Sequence, residues 1–225
     1  MTRGRSLRER LAGLVQRGAL LAALGLLLHL IFYAGCVVVE PGVAAPASEL
    51  VRVAGGAPQG GGRGSLLYTT VSAGRAGLVG ALRALADPGV ELRPLRGEVP
   101  PGLGWEEYTE LLRESMRESR AVAVLVALRH LGYRVSPGEE PPVDVEPAGD
   151  EIGGESAALV VALEVYRQLT GAEVAGGLVV AGTGALLPDG RVEAVGGVRQ
   201  KVLAAERAGA DVFLVPRANA AEAVT

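Results

Sequence analysis

Between Gly18 and Val39 the chain reads GALLAALGLLLHLIFYAGCVVV, 22 residues without an acid, lysine or arginine. As a helix this run extends about 33 Å, enough to cross a bilayer core, and it predicts a transmembrane helix. Beyond it the pattern breaks. EPGVAAPASELVRVAGGAPQGGGRG, residues 40–64, is rich in Pro, Gly and Ala and predicts a linker and first strand region, with a flexible loop over Gln59–Gly64. SLLYTTVSA, from Ser65 to Ala73, has strand composition. RAGLVGALRALADPG then spaces Leu78, Leu82 and Leu85 as a helix that Pro88 stops. WEEYTELLRESMRESRAVAVLVALRHLGYRV predicts a long helix, with Glu106, Glu107 and Glu110 favouring its N-terminal end and Gly132 its C-terminal cap.

SPGEEPPVDVEPAGD, Ser136 to Asp150, is a second break with four prolines and five acids, and leaves room for one short strand at Val143–Val145. DEIGGESAALVVALEVYRQLTG then opens a helix at Ser156 and closes it at Gly171. GLVVAGT, from Gly177 to Thr183, reads as a strand. ALLPDGRVEAV reads as a hairpin turned at Asp189-Gly190. The pair Gly196-Gly197 opens VRQKVLAAERAG, a helix capped by Gly209, and DVFLVP reads as a final buried strand. Crossovers mixed with a hairpin predict an α+β fold, α/β-like in its crossovers, behind one transmembrane helix. The segments are a basic stretch at 1–17, the span at 18–39, the linker at 40–64, the first part of the domain at 65–135, the acidic Pro-rich junction at 136–149, and its last part at 150–225.

Arg3, Arg5, Arg8, Arg10 and Arg17 precede the span, which places the N-terminus in the cytoplasm and the remaining chain outside a single-pass cell-membrane protein. A cleaved signal peptide competes, although its apolar region is normally about 7–15 residues. YAGC ahead of Val37 also looks like a lipoprotein cleavage site, with Tyr33 and the apolar residues after Cys36 against it. A formal net charge of −3 gives no reason to expect a nucleic-acid partner, and the single Cys36 excludes an internal disulfide and a cysteine-based metal cluster. His29 and His130 are far apart, so a Ser-His-Asp triad is not expected, and His130 reads as a polar helix end.

Among 22 Lys plus Arg, Lys201 is the one lysine. Guanidinium keeps its proton in a protein, whereas a desolvated ammonium can lose it. Coding bias explains the arginines; a site that needs a neutral amine explains the exception. Ser156 has two readings, a helix N-cap and a nucleophile. As nucleophile it needs a base to take its proton, and the helix N-terminus would offer N–H groups to an oxyanion.

These residues bring a family into view. PGVA, GSLLYTTVSAG and ESMRESRAVAVLVALRHLG, then GDEIGGESAA and AGTGALLPDGRVEAVGGVRQKVLAAERAGADVFLVP, resemble the Lon-type Ser-Lys proteases. The likeness is nearest to the membrane-anchored, ATP-independent Lon-like proteases of bacteria, which usually carry a PDZ domain. It implies Ser156 as nucleophile, Lys201 as general base and Thr183 as a supporting residue that orients the lysine. Gly154 and Ala157 flank the nucleophile in the motif that serves the oxyanion. It also implies a ring-like homo-oligomer and protein or peptide substrates, with no metal or other cofactor. The one lysine is followed by Val202, so no phosphate-binding Gly-Lys-Ser/Thr is present and no nucleotide is expected.

The family motif Gly-Pro-Ser-Ala-Gly stands here as Gly154-Glu155-Ser156-Ala157-Ala158, with an extra residue in GDEIGG. Glu155 adds a modulating charge beside the nucleophile. The stretch from Val135 to Pro142 is too short for a PDZ domain, and the chain ends at Thr225 before the last strand and helix that the family implies. Two functions follow: a membrane-anchored serine endopeptidase, and a weakened or inactive membrane-tethered interaction module.

Overall fold

The computed structural model describes residues 7–56, 64–138, 145–147 and 155–224. It is a mixed α and β protein whose chain divides into two units, Met1–Val39 with Ala73–Glu98, and Glu40–Ser72 with Val99–Thr225.

The first unit holds α1 (Leu7–Gly35), the first residues of β1 (Cys36–Pro46), α2 (Leu78–Ala86), β4 (Glu91–Pro94) and the short α3 (Leu95–Glu98). Within α1, Leu14–Gly35 has a mean hydropathy of 2.0 and is long and apolar enough to cross a membrane. The helix stops at Gly35, four residues short of the sequence-based span. Cys36–Val39, apolar enough to be read into the span, instead pair antiparallel with β4 in the register Cys36↔Pro94 to Val39↔Glu91. Val37 and Val39 are buried there. Three consecutive valines favour a strand, and pairing with β4 takes up the backbone groups on one edge of it.

In the second unit β2 (Val51–Val53) pairs antiparallel with β5 (Val145–Pro147), its valines inward and Arg52 outward. β5 lies at the C-terminal edge of the short strand predicted around Val145; residues 143 and 144 fall outside the described residues, as do 59–63 of the predicted loop. β3 (Ser65–Arg75) pairs in parallel with β6 (Val179–Gly182), and β6 in parallel with β9 (Val212–Leu214). Among the described residues β9 is an end strand, and Val212 is 37% exposed. The sequence-based expectation of a buried final strand is corrected accordingly.

Helices α4 (Trp105–His130) and α5 (Ala158–Thr170) supply the main core. Met116, Ala123, Ala127 and Leu128 from α4 belong to one buried cluster with Ala158, Val161, Ala162 and Val165 from α5, the spacing of a helical apolar face. Glu107 accepts the Gly104 N–H at 2.8 Å, so this acid holds the start of α4 by a hydrogen bond as well as by the dipole. His130 meets Tyr166 of α5 edge-on at 5.6 Å. The hairpin of β7 (Ala185–Leu186) and β8 (Val192–Glu193) turns as predicted, with Gly190 at φ +86.

Candidate active site

The candidate residues all lie in the second unit. Ser156 occupies a 3-10 turn, Glu155–Ala157, that runs into α5. The residue at the helix cap is Ala157, which makes no side-chain cap bond, so Ser156 is not the N-cap of α5. Its position is set by neighbouring elements. Its carbonyl accepts the Thr183 hydroxyl at 3.0 Å and the Gly184 N–H at 2.7 Å. The Gly184 carbonyl in turn accepts the Leu159 N–H at 3.1 Å. On the other flank, the Ser119 hydroxyl of α4 donates to the Glu155 carbonyl at 3.2 Å. The serine backbone is thus held between the end of β6, the start of α5 and the middle of α4.

Thr183 is fully buried and its N–H donates to Leu214 of β9 at 2.9 Å. Its hydroxyl proton goes to the serine backbone; toward an amine this oxygen can still accept. Ala157 and Ala158 are 3% and 1% exposed and pack into the main core. The alanine standing where the family has glycine therefore fills space that the fold provides. Glu155 is exposed. Gly154 lies outside the described residues.

Lys201 sits in α6 (Val198–Arg207) and is 3% exposed. The N-cap of this helix is Gly197 at φ +66, and a Cβ there would come 2.7 Å from Val71 Cγ1 of β3. Left-handed backbone and close approach together demand glycine at this one position of the pair. Burial lowers the Lys201 pKa from 10.5 to about 8, and Glu222, the carboxylate acting on it, pushes the other way. Its neighbour Gln200 is fully buried, and among the described residues neither amide atom is hydrogen-bonded. α6 thus turns two successive polar side chains inward.

Glu222 belongs to α7 (Ala220–Ala223) and escaped the sequence reading. Its Oε1 accepts the Val198 N–H at 3.0 Å, capping α6, while Asn219 Nδ2 donates to its Oε2 at 3.3 Å. Asn219 also exchanges two bonds with the Val195 backbone, at 2.9 and 3.0 Å. The anion that acts on Lys201 is therefore Glu222, fixed at a helix N-terminus. Ser119 and Gly184 were missed as well, because what they contribute is a backbone contact that motif spacing does not encode.

The second unit holds both a serine turn, pinned from three sides, and a buried amine of lowered pKa. Residues 64–224 match the model of the Lon protease (S16) C-terminal proteolytic domain. The chain belongs to this family. Among relatives of this Lon domain, the Lon protease of Azorhizobium caulinodans is 35% identical over 153 residues, 63% of this chain and 17% of that protein. The Lon protease of Rhizobium meliloti is 34% identical over the same length, 18% of that protein. Lon protease 1 of Thermus thermophilus is 33% identical over 158 residues, 64% of this chain and 19% of that protein. The Lon-like chain spans less than a fifth of the length of each.

Proposed function

We propose that this Lon-family chain is a membrane-anchored serine endopeptidase that works without ATP through a Ser156–Lys201 dyad. The observation that carries the reading is Lys201, the only lysine of the chain, buried to 3% exposure with its pKa lowered to about 8. A pKa of about 8 leaves roughly a tenth of the amine neutral at pH 7. Neutral Lys201 takes the Ser156 hydroxyl proton as the oxygen attacks a peptide carbonyl, and returns it to the leaving amine as the acyl-enzyme forms. Water then attacks the ester by the same base and regenerates the serine. Thr183 holds the backbone of the nucleophile, and N–H groups around Ala157 serve the oxyanion. Protein or peptide substrates fit the chemistry, and the lone lysine, followed by Val202 and so outside any Gly-Lys-Ser/Thr sequence, supports the reading without ATP. A homo-oligomer remains a family expectation.

The reading of an inert membrane module drew in part on Glu155 and Ala158. Neither favours it: Ala158 packs into the core and Glu155 is exposed. The test is labelling of the detergent-solubilised protein with a fluorophosphonate, followed by peptide mass spectrometry. We expect adduct on Ser156 in the parent and none in Lys201→Met. Casein cleavage that survives Ser156→Ala overturns the dyad.

A further inference from the structure

Helix α2 carries its apolar side chains on the wrong face for a water-soluble protein. Within its nine residues, LVGALRALA, Val79 is 70% exposed, Leu82 56% and Leu85 86%, while Ala81 is buried and Gly80 lies 3.5 Å, at its would-be Cβ, from Val38. Gly80 and Ala81 face the protein, while Val79, Leu82 and Leu85 face outward, in the company of exposed Arg83 and Ala86. In water that arrangement leaves three large side chains unburied on two turns of helix, the reverse of ordinary amphipathic packing.

The same unit ties α2 to α1. The Leu78 N–H, the first of α2 and without a side-chain cap, donates to His29 Nδ1 at 3.3 Å. The His29 ring comes so near that a Cβ on Gly77 would stand 2.7 Å from Nδ1, so a side chain there would displace the imidazole. One turn further along α1, Tyr33 stacks on His29 at 6.1 Å, and Arg75 reaches it from β3. Arg75 Nε donates to the Tyr33 carbonyl at 2.7 Å, and its guanidinium lies 4.9 Å from the Tyr33 ring centroid. A Tyr and an Arg at the end of an apolar helix mark the headgroup level of a bilayer. His29 lies six residues before Gly35, about 9 Å inside the end of α1 at 1.5 Å per residue.

We propose that α2 is an interfacial helix that lies on the bilayer with Val79, Leu82 and Leu85 in the acyl boundary. The inference rests on the reading of α1 as a membrane anchor. Its occupant is lipid, because the exposed face starts from a helix joined to α1 at a depth of about 9 Å, and interfacial helices bury their apolar face about 5–10 Å into that boundary. His29 and Gly77 form the joint: the imidazole satisfies a backbone donor that would otherwise be left unpaired in lipid.

The test uses the full chain with Cys36→Ala, reconstituted in phosphatidylcholine–phosphatidylglycerol vesicles. A nitrobenzoxadiazole label is placed singly at Val79→Cys, Leu85→Cys, Leu24→Cys in α1 and Glu206→Cys on the exposed end of α6. At 79 and 85 we expect blue-shifted emission, several-fold weaker iodide quenching than at 206, and stronger quenching by lipids spin-labelled near the headgroup than near the chain end. Labels at 79 and 85 as open to iodide as at 206, with 24 shielded, overturn the inference and leave the anchor standing. Iodide at all four positions overturns the anchor too. Shielding at 79 and 85 without quenching by either lipid means that protein covers α2, and also overturns it.

Discussion

An ammonium at 3% exposure loses most of its hydration, and the Lys201 pKa falls from 10.5 to about 8. The shift corresponds to about 3 kcal/mol, and its sign opposes folding while the amine is charged. Between pH 8 and 10.5 the unfolded chain binds the extra proton, so stability rises with pH across that window, and below pH 8 the penalty is fully present. Lys201→Met, apolar and of similar length, is therefore expected to abolish turnover and to raise stability by about 1–3 kcal/mol at pH 7. Denaturant titrations of parent and variant at pH 7 and pH 10 check this, and the gap should narrow at the higher pH. The rate of peptide cleavage should climb about tenfold per pH unit below 8 and level above it. Glu222 raises the lysine pKa. Glu222→Gln should thus move the profile to lower pH and increase kcat/KM at pH 7, and a profile that stays in place would show that Glu222 acts only as a helix cap.

Helix α5 does more than follow Ser156. Near its other end Gln168 is 6% exposed and behaves like an added strand residue. Its Oε1 accepts the Val53 N–H at 2.7 Å, and its Nε2 donates to the Val51 carbonyl at 3.1 Å and to Glu164 Oε1 at 2.7 Å. Glu164, 1% exposed, is neutralised by Arg167 at 2.7 Å. Gln168→Ala strands several buried groups and is expected to cost about 2–3 kcal/mol in a denaturant titration. At the first end, Thr183→Val keeps the volume and removes the hydroxyl that fixes the Ser156 carbonyl. We expect it to lower kcat by roughly one to two orders of magnitude with KM little changed, because a misplaced nucleophile weakens attack more than binding. An unchanged kcat would mean that the Gly184 N–H suffices.

For the whole molecule, the anchor reading predicts that the chain stays in the pellet after alkaline carbonate extraction. A phosphatase fused after Thr225 should be active while a cytoplasmic reporter is silent. Release by carbonate removes the anchor, and the reverse reporter pattern overturns the topology expected from Arg3, Arg5, Arg8, Arg10 and Arg17. The apolar run at Leu14–Gly35, the 3.6-residue period of α4 and α5, the Asp189-Gly190 turn and the lone Lys201 were legible in the sequence because each is local: a period, a turn chemistry or a residue type within a few positions. The motifs around Ser156 and Lys201 likewise sufficed to place the chain in its family. Other features were decided only by the tertiary structure. The end of α1 at Gly35 depends on a strand more than fifty residues away. The burial of Lys201 and the lowering of its pKa depend on packing, which makes desolvation the larger influence on that amine. The bond from Thr183 to the serine carbonyl joins residues 27 apart, and the one from Glu222 to Val198 joins residues 24 apart. Such contacts follow from how elements pack, and hydrophobic periodicity fixes which face of an element is buried but not which polar atom awaits it.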